Sequence, residues 1–278
     1  MTNLIKTIIK TRRLAADIFV NSLVNINSLS EVEISNKILN EAKNYSEIFP
    51  EGWYSPPPSG TAVLLDQAPF KRLQYDSLRN PEFWPKGNIY LEKETVGLIY
   101  FSPVDRKTGM IGDIGLTIYR GQNQKIRQHL KNCYFDVLKI VEYVQVGMNF
   151  SKICEYALKF FQNKYKLTRW VTISSNPNHK INLGHTLPGS SEENVSFGQT
   201  FEKIKENIKS KRLHLQDTEH FKIPKTCAFT IEPRLEDLTD SAIPSGYFHF
   251  IVCFNKGKKI ILDNYQKIFN VVGMGYMN

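Results

Sequence analysis

Apolar residues recur at helical spacing from Leu4 to Val24, at Leu4, Ile8, Ile9, Leu14, Ile18, Val20 and Leu23. That pattern predicts an amphipathic first helix with one buried face. A second helix is predicted from Ser30, because Ser30-Glu-Val-Glu33 has the order of a capping box. It runs through Ile34, Ile38 and Leu39 to about Tyr45. Two further helical patterns cover about Lys125 to Val144 and Asn149 to Tyr165. Strand-like runs are Thr61 to Leu65, Val96 to Ser102, Ile111 to Tyr119, Trp170 to Ser174, Ala228 to Ile231, Tyr247 to Phe254 and Lys259 to Leu262. Pro56-Pro-Pro58 with Ser59-Gly60 reads as a rigid loop before the first strand. Helix pairs alternating with long-range strands predict an α+β domain, with helices on one face of a mostly antiparallel sheet. The helix pairs close on similar phrases, Lys43-Asn-Tyr45 and Asn163-Lys-Tyr165, a weak sign of an internal pseudo-two-fold.

A length of 278 residues allows one large domain or two small ones. We read 1–278 as one domain, with 1–47 its N-terminal helices. Residues 189–224 are an insertion carrying one helix, from Phe197 to about Leu215, that serves as a lid or as surface decoration. No apolar run approaches the length of a membrane span. The first residues mix Lys and Arg among apolar positions, unlike a secretory signal. Cys133, Cys154, Cys227 and Cys253 show no C-x-x-C spacing and read as buried thiols, so a cytoplasmic location is expected. The net charge of +9 raises a nucleic-acid partner, but the basic residues are spread. The densest basic run, Lys203 to Arg212, is interleaved with Glu and Ile at helical spacing, as on a solvated helix face.

Three polar residues stand in short apolar or turn-like runs: Asp113, His185 and Glu232. An acid in an apolar strand is costly unless it is paired or ligated. A carboxylate beside an imidazole can serve acid–base chemistry or hold Mn, Fe, Co or Zn. No Walker loop, G-x-G-x-x-G, H-E-x-x-H or nucleophile elbow is present.

The runs around these residues resemble the pita-bread family of methionine aminopeptidases, prolidases and creatinases. Gly109, Asp113 and Thr117 fall on the family's G-Y-x-x-D-x-T-R-T strand, Gly184-His185 on its G-H-G-I-G, and Phe229-Thr-Ile-Glu-Pro233 on F-T-I-E-P. Tyr247-Phe-His-Phe-Ile-Val252, with Gly257 and Ile260 to Leu262, looks like its last strand pair, which opens Y-E-H-T-I-V. The resemblance implies the curved pita-bread fold and a metal site that includes Asp113, His185 and Glu232, with His179 in place of His185 if His185 is the family's substrate-binding histidine. Two of the family's five metal ligands are replaced. The first falls on Ser102 or Tyr100, depending on the anchor used, and the last on Phe248. On this reading Phe248 puts a ring into the site and His249, its strand neighbour, points away.

The resemblance therefore implies a metallopeptidase-like hydrolase with a reduced centre: one divalent ion on Asp113, His185 and Glu232, or none. Its substrate would be a peptide or a small amide. Catalysis is expected from His185, Glu232 and His179, with Arg79, Arg234 or His179 holding a carboxylate or oxyanion. A metal-free creatinase-like enzyme and a non-catalytic binding module are the alternatives, and a homodimer is left open. Gly112 and Gly115 are expected to admit a substrate backbone.

Overall fold

The computed structural model describes residues 2–55, 57–167, 182–191 and 200–278. The expected strand Trp170 to Ser174 and His179 lie outside them. Helix α1 (Asn3–Ser22) begins where the Thr2 hydroxyl accepts the Ile5 amide. Helix α2 (Glu31–Ala42) carries the expected capping box, with Ser30 and Glu33 bonded reciprocally, and stops before Tyr45. The short strand β1 (Ile48–Phe49) follows.

Strand β2 (Thr61–Asp66) pairs antiparallel with β3 (Val96–Phe101). Then come β4 (Val104–Asp105), which pairs with β1, and β5 (Ile114–Tyr119), which pairs antiparallel with β3. Every residue of β3 and β5 is buried, so both faces of this sheet are covered. Helix α3 (Gln124–Tyr143) matches its pattern closely. Helix α4 (Phe150–Phe161) ends early, because Tyr165 opens strand β6 (Tyr165–Leu167). Helix α5 (Phe201–Lys211) is shorter than expected; among its residues, Ile204 and Ile208 are buried.

In the second half, β7 (Cys227–Ile231) is followed by β8 (Arg234–Asp237) and β9 (Gly246–Tyr247). Then come β10 (Phe250–Asn255), β11 (Lys258–Leu262) and helix α6 (Gln266–Val271). The strands form two antiparallel sheets, β11-β10-β7 and β6-β8-β9. The expected run Tyr247 to Phe254 is broken at Phe248 and His249. There the backbone turns to pair with β5: the His249 amide donates to the Gly115 carbonyl, at 3.0 Å.

Segment 183–187 extends the β7 sheet. The Thr230 amide donates to the His185 carbonyl and the Glu232 amide to the Leu183 carbonyl, each at 2.8 Å. Residues 213–215 add one more strand-like row, through Leu183 to Leu215 and Thr186 to Leu213 bonds of 2.8 Å. The insertion therefore returns to the sheet directly beside His185. No helix among the described residues is long and apolar enough to cross a membrane. All four cysteines are buried and unpaired.

Candidate active site

Asp113 lies one residue before β5 and is fully buried. The Trp53 indole N–H donates to both its carboxylate oxygens, at 2.8 and 3.0 Å, and the Tyr100 hydroxyl donates to Oδ2 at 2.9 Å. Beneath it, the buried Arg12 guanidinium of α1 donates to the carbonyls of Asp113, His249 and Asp263. Gly112 and Gly115 make this packing feasible. A Cβ at Gly112 would lie 2.5 Å from the Thr11 backbone, and one at Gly115 would lie 2.7 Å from the Tyr247 ring. The two glycines therefore admit α1 and the rings of Tyr100 and Tyr247. This corrects the expectation that they make room for a substrate.

Glu232 immediately follows β7. Its Oε1 accepts from the Thr230 hydroxyl and its Oε2 from the Tyr247 hydroxyl, both at 2.8 Å. Two imidazoles flank the same carboxylate. His185 Nε2 is 3.6 Å from Oε1, and His249 Nε2 is 3.7 Å from Oε2. Both separations exceed a direct hydrogen bond. His185 Nδ1 is 2.9 Å from the Thr186 carbonyl, which can only accept, so Nδ1 carries the proton and Nε2 is left as an acceptor. Neither ring nitrogen of His249 has a partner. The Trp53 ring packs edge-on against His185, at 5.5 Å, and links the Asp113 and Glu232 halves.

Burial sets the electrostatics. It raises the Asp113 and Glu232 carboxyls to about 7, against the pull of their hydrogen bonds, and the Glu232 charge adds to the rise at Asp113. The two carboxyls titrate as an interacting pair. Burial also lowers His185 to about 3, with the nearby Arg212 charge adding, and holds His249 well below the ordinary imidazole range. Near neutral pH the centre thus holds two neutral imidazoles and carboxyls poised to exchange protons.

These residues do not fit a metal centre. Each oxygen of the two carboxylates is held along a bond from Trp53, Tyr100, Thr230 or Tyr247, so none is turned toward a common point with His185. The charges of Arg12 and Arg212 already stabilise the Glu232 carboxylate, as a cation would. Among the described residues no group of three or more His, Cys, Asp or Glu side chains is placed to hold an ion. The expected Asp113, His185 and Glu232 ligand set does not come together as a metal centre there.

Sequence reasoning misplaced one strand face. Phe248 does not enter the site; its ring packs against Tyr134, Tyr265 and Phe269 in the core. His249 and Tyr247, two apart on the same face, enter instead. Of the two candidates for the lost first ligand, Tyr100 reaches Asp113, whereas the Ser102 hydroxyl bonds to Gly60 and Tyr54. Arg79 stacks on Tyr54 at 4.2 Å and Arg234 on Tyr75 at 4.2 Å. Trp53, Thr230 and Arg12 were missed. Each is remote from its partner or sits inside an apolar run, and only Tyr247 and His249 carried a local signal, their alternation along a strand.

Gly184 is required beside the histidine. Its φ is +152°, and an added Cβ would fall 2.2 Å from the Thr230 carbonyl. Gly184→Ala is expected to cost more than about 1 kcal/mol, since the strain of a left-handed alanine adds to the clash. A chemical denaturation midpoint reads this directly. Parental stability would contradict the close approach.

No family model matches this chain, and no curated protein matches it. Solved structures do. A prolidase from Pyrococcus furiosus matches with a TM-score of 0.64 and 15% identity, over 95% of this chain and 64% of that one. A prolidase from Pyrococcus horikoshii OT3 gives a TM-score of 0.64 and 15% identity, over 95% and 62%. Proline aminopeptidase P II from Yersinia pestis gives 0.62 and 11%, over 100% and 60%. This chain spans about three fifths of the length of these proteins. The architecture assembled above, open antiparallel sheets backed by helices, is the pita-bread fold that prolidases and aminopeptidase P share.

Proposed function

We propose that this chain is a metal-independent, peptidase-like hydrolase acting on a peptide-like or small amide C–N bond, with Glu232 and His185 as its proton-exchanging pair. The observation that carries the reading is the 3.6 Å gap between His185 Nε2 and Glu232 Oε1, with the other contacts of both groups satisfied. The gap is too short for an atom to sit between them, and a water or amide nitrogen placed beside both, about 2.8 Å from each, would bridge the two. A Glu232 carboxyl titrating near 7 is partly protonated at neutral pH and can give its proton to the departing nitrogen. The bare Nε2 of neutral His185 accepts a hydrogen bond from the attacking water and orients it; as the C–O bond forms and the C–N bond breaks, that water's proton passes to the Glu232 carboxylate and restores the acid. The Tyr247 and Thr230 hydroxyls hold the carboxylate that forms when Glu232 gives up its proton.

A second reading, a binding module without turnover, is favoured by the low basicity of His185, which makes it a weak base. One assay separates the two. Protein is incubated with a panel of X-Pro and Met-X peptides and small amides, with and without a strong chelator. The hydrolase reading expects turnover that the chelator leaves unchanged and that Glu232→Gln lowers by about 10²–10⁴-fold. Turnover that depends on added Mn, Co or Zn would restore a metal-dependent mechanism. Binding with no turnover would leave the second reading.

A further inference from the structure

Water adding to an amide carbonyl drives the C=O π pair onto the oxygen, and the oxyanion needs a donor fixed where it forms. The Trp53 indole and the Tyr100, Thr230 and Tyr247 hydroxyls are committed to the two carboxylates. His249 is not. It is fully buried, and neither of its ring nitrogens has a partner among the described residues. Its Nε2 stands 3.7 Å from Glu232 Oε2, much as His185 Nε2 stands 3.6 Å from Oε1. A buried imidazole with nothing to bond is costly, and such groups are rare unless a ligand or water meets them.

The two histidines differ in which nitrogen holds the proton. A neutral imidazole carries one N–H. In His185 the Thr186 carbonyl draws it to Nδ1. His249 has no such acceptor. Its own carbonyl already takes Arg12 Nη2, at 2.8 Å, and the Tyr265 hydroxyl, which fill both lone pairs. The Gly115 carbonyl is filled in the same way, by the His249 amide at 3.0 Å and the Tyr265 hydroxyl at 2.8 Å. A proton on Nδ1 would be buried without an acceptor, whereas one on Nε2 faces the Glu232 centre, where a ligand oxygen can take it. These main-chain bonds, and the Tyr100 ring with its centroid 6.2 Å away, hold the imidazole in place before any ligand arrives. Such a fixed donor costs no reorganisation when charge develops.

We propose that His249 is the oxyanion donor of this site, its Nε2–H bonding to the carbonyl oxygen of the bound amide as water attacks. The role rests on the hydrolase reading above. The π pair moves to that oxygen when the C–O bond forms and returns when the C–N bond breaks, while the Nε2 proton stays on His249 throughout. The two imidazoles divide the work across one carboxylate: His185 accepts from the water and His249 donates to the oxyanion. The turn that sends Phe248 into the core and His249 into the centre thus supplies, from a neutral donor, the polarisation that a metal ion gives elsewhere.

Two variants and one spectrum test this. His249→Leu is expected to lower kcat about 10²–10³-fold and to leave KM nearly unchanged, because the bond is made chiefly in the transition state. His249→Gln, whose amide N–H reaches toward the Nε2 position, should recover at least about tenfold of that loss. Phosphinic analogues of Ala-Pro-Ala and Met-Ala-Ala, with a tetrahedral anionic phosphorus in place of the reacting carbonyl, serve as probes. At least one should bind the parent and lose about tenfold or more in affinity for the Leu variant. The spectrum is the histidine nitrogen–proton correlation of the parent, assigned with His249→Gln. It should show His249 as the Nε2–H tautomer, its proton signal moving downfield when a probe binds. It needs only the parent, so it decides even where the Leu variant does not fold. An Nδ1–H tautomer would overturn the proposal, and so would an Nε2–H signal unmoved by bound probe. A folded Leu variant with parental kcat, a loss confined to KM, no recovery in a folded Gln variant, or a parent that binds neither probe would do the same. A parent that hydrolyses nothing, yet whose Nε2–H signal shifts with the probe, would remove the hydrolase reading and leave His249 as a donor to a bound anion.

Discussion

Replacing Arg12 by methionine is expected to lower the thermal midpoint by roughly 10 °C, the equivalent of about 3 kcal/mol for a chain of this size. Arg12 is fully buried on α1, and its guanidinium donates to three carbonyls on three segments. They belong to Asp113 before β5, to His249 between β9 and β10, and to Asp263 after β11. The Tyr265 hydroxyl also donates to the His249 carbonyl, and Arg12 lies over the Tyr265 ring at 5.3 Å.

Two effects oppose each other in this substitution. Removing a buried positive charge recovers desolvation free energy, which is why some buried ions can be replaced by apolar groups at no loss. Against that, the buried Asp113 carbonyl loses its donor at about 1–3 kcal/mol and the part-buried Asp263 carbonyl at less, while the His249 carbonyl keeps the Tyr265 hydroxyl. The Asp113 and Glu232 carboxylates lose a stabilising cation as well. The second effect wins because the acceptors are backbone groups that cannot turn away. Arg12→Lys should recover little, since one ammonium cannot reproduce a planar fork reaching three oxygens. A methionine variant as stable as the parent would show that the clamp is dispensable.

The helices and the outline of the sheet were legible because their signals are local. The Ser30–Glu33 capping box, the apolar stripe of α1 and the alternating run of β5 each depend on neighbours within a turn or two. The carboxylates were legible for the opposite reason: Asp113 and Glu232 are costly where they stand, so their presence in apolar strands marks a site. What the sequence did not carry is which face of a broken strand points inward. A resemblance by position put Phe248 in the centre. The outcome turned instead on long-range pairing of 247–249 with β5 and on a pocket of Tyr134, Tyr265 and Phe269 that accepts the Phe248 ring. Arg12 and Trp53 were silent for a related reason. Their partners lie 101 and 60 residues away, and nothing near either residue announces the contact. The short elements β6 and α6 were missed because a few residues give too little periodicity to read.

Glu232→Gln is expected to make the protein more stable relative to its parent as pH rises, by about 3 kcal/mol between roughly pH 4.5 and pH 7.5. The Glu232 carboxyl is raised from 4.5 to about 7 in the folded state, chiefly by burial. A raised folded value means that the folded form holds the proton more tightly than the unfolded chain. Its contribution to stability is fully present below about pH 4.5 and is lost as pH rises through about 7. Glutamine cannot lose a proton, so the variant escapes that loss. Its amide can still accept from one of Thr230 and Tyr247, whose hydroxyls can each act as donor or acceptor. The depressed histidines pull the opposite way at acid pH, but they are common to both proteins and cancel in the difference. Under the hydrolase reading the same proton is the one delivered to the leaving nitrogen. Parental activity should then fall above about pH 7, in the window where the stability difference levels off. Urea denaturation of both proteins at several pH values, beside a rate profile of the parent, tests both halves. A stability difference that stays flat with pH would mean that Glu232 is ionised throughout, and it would remove the acid from the proposed mechanism.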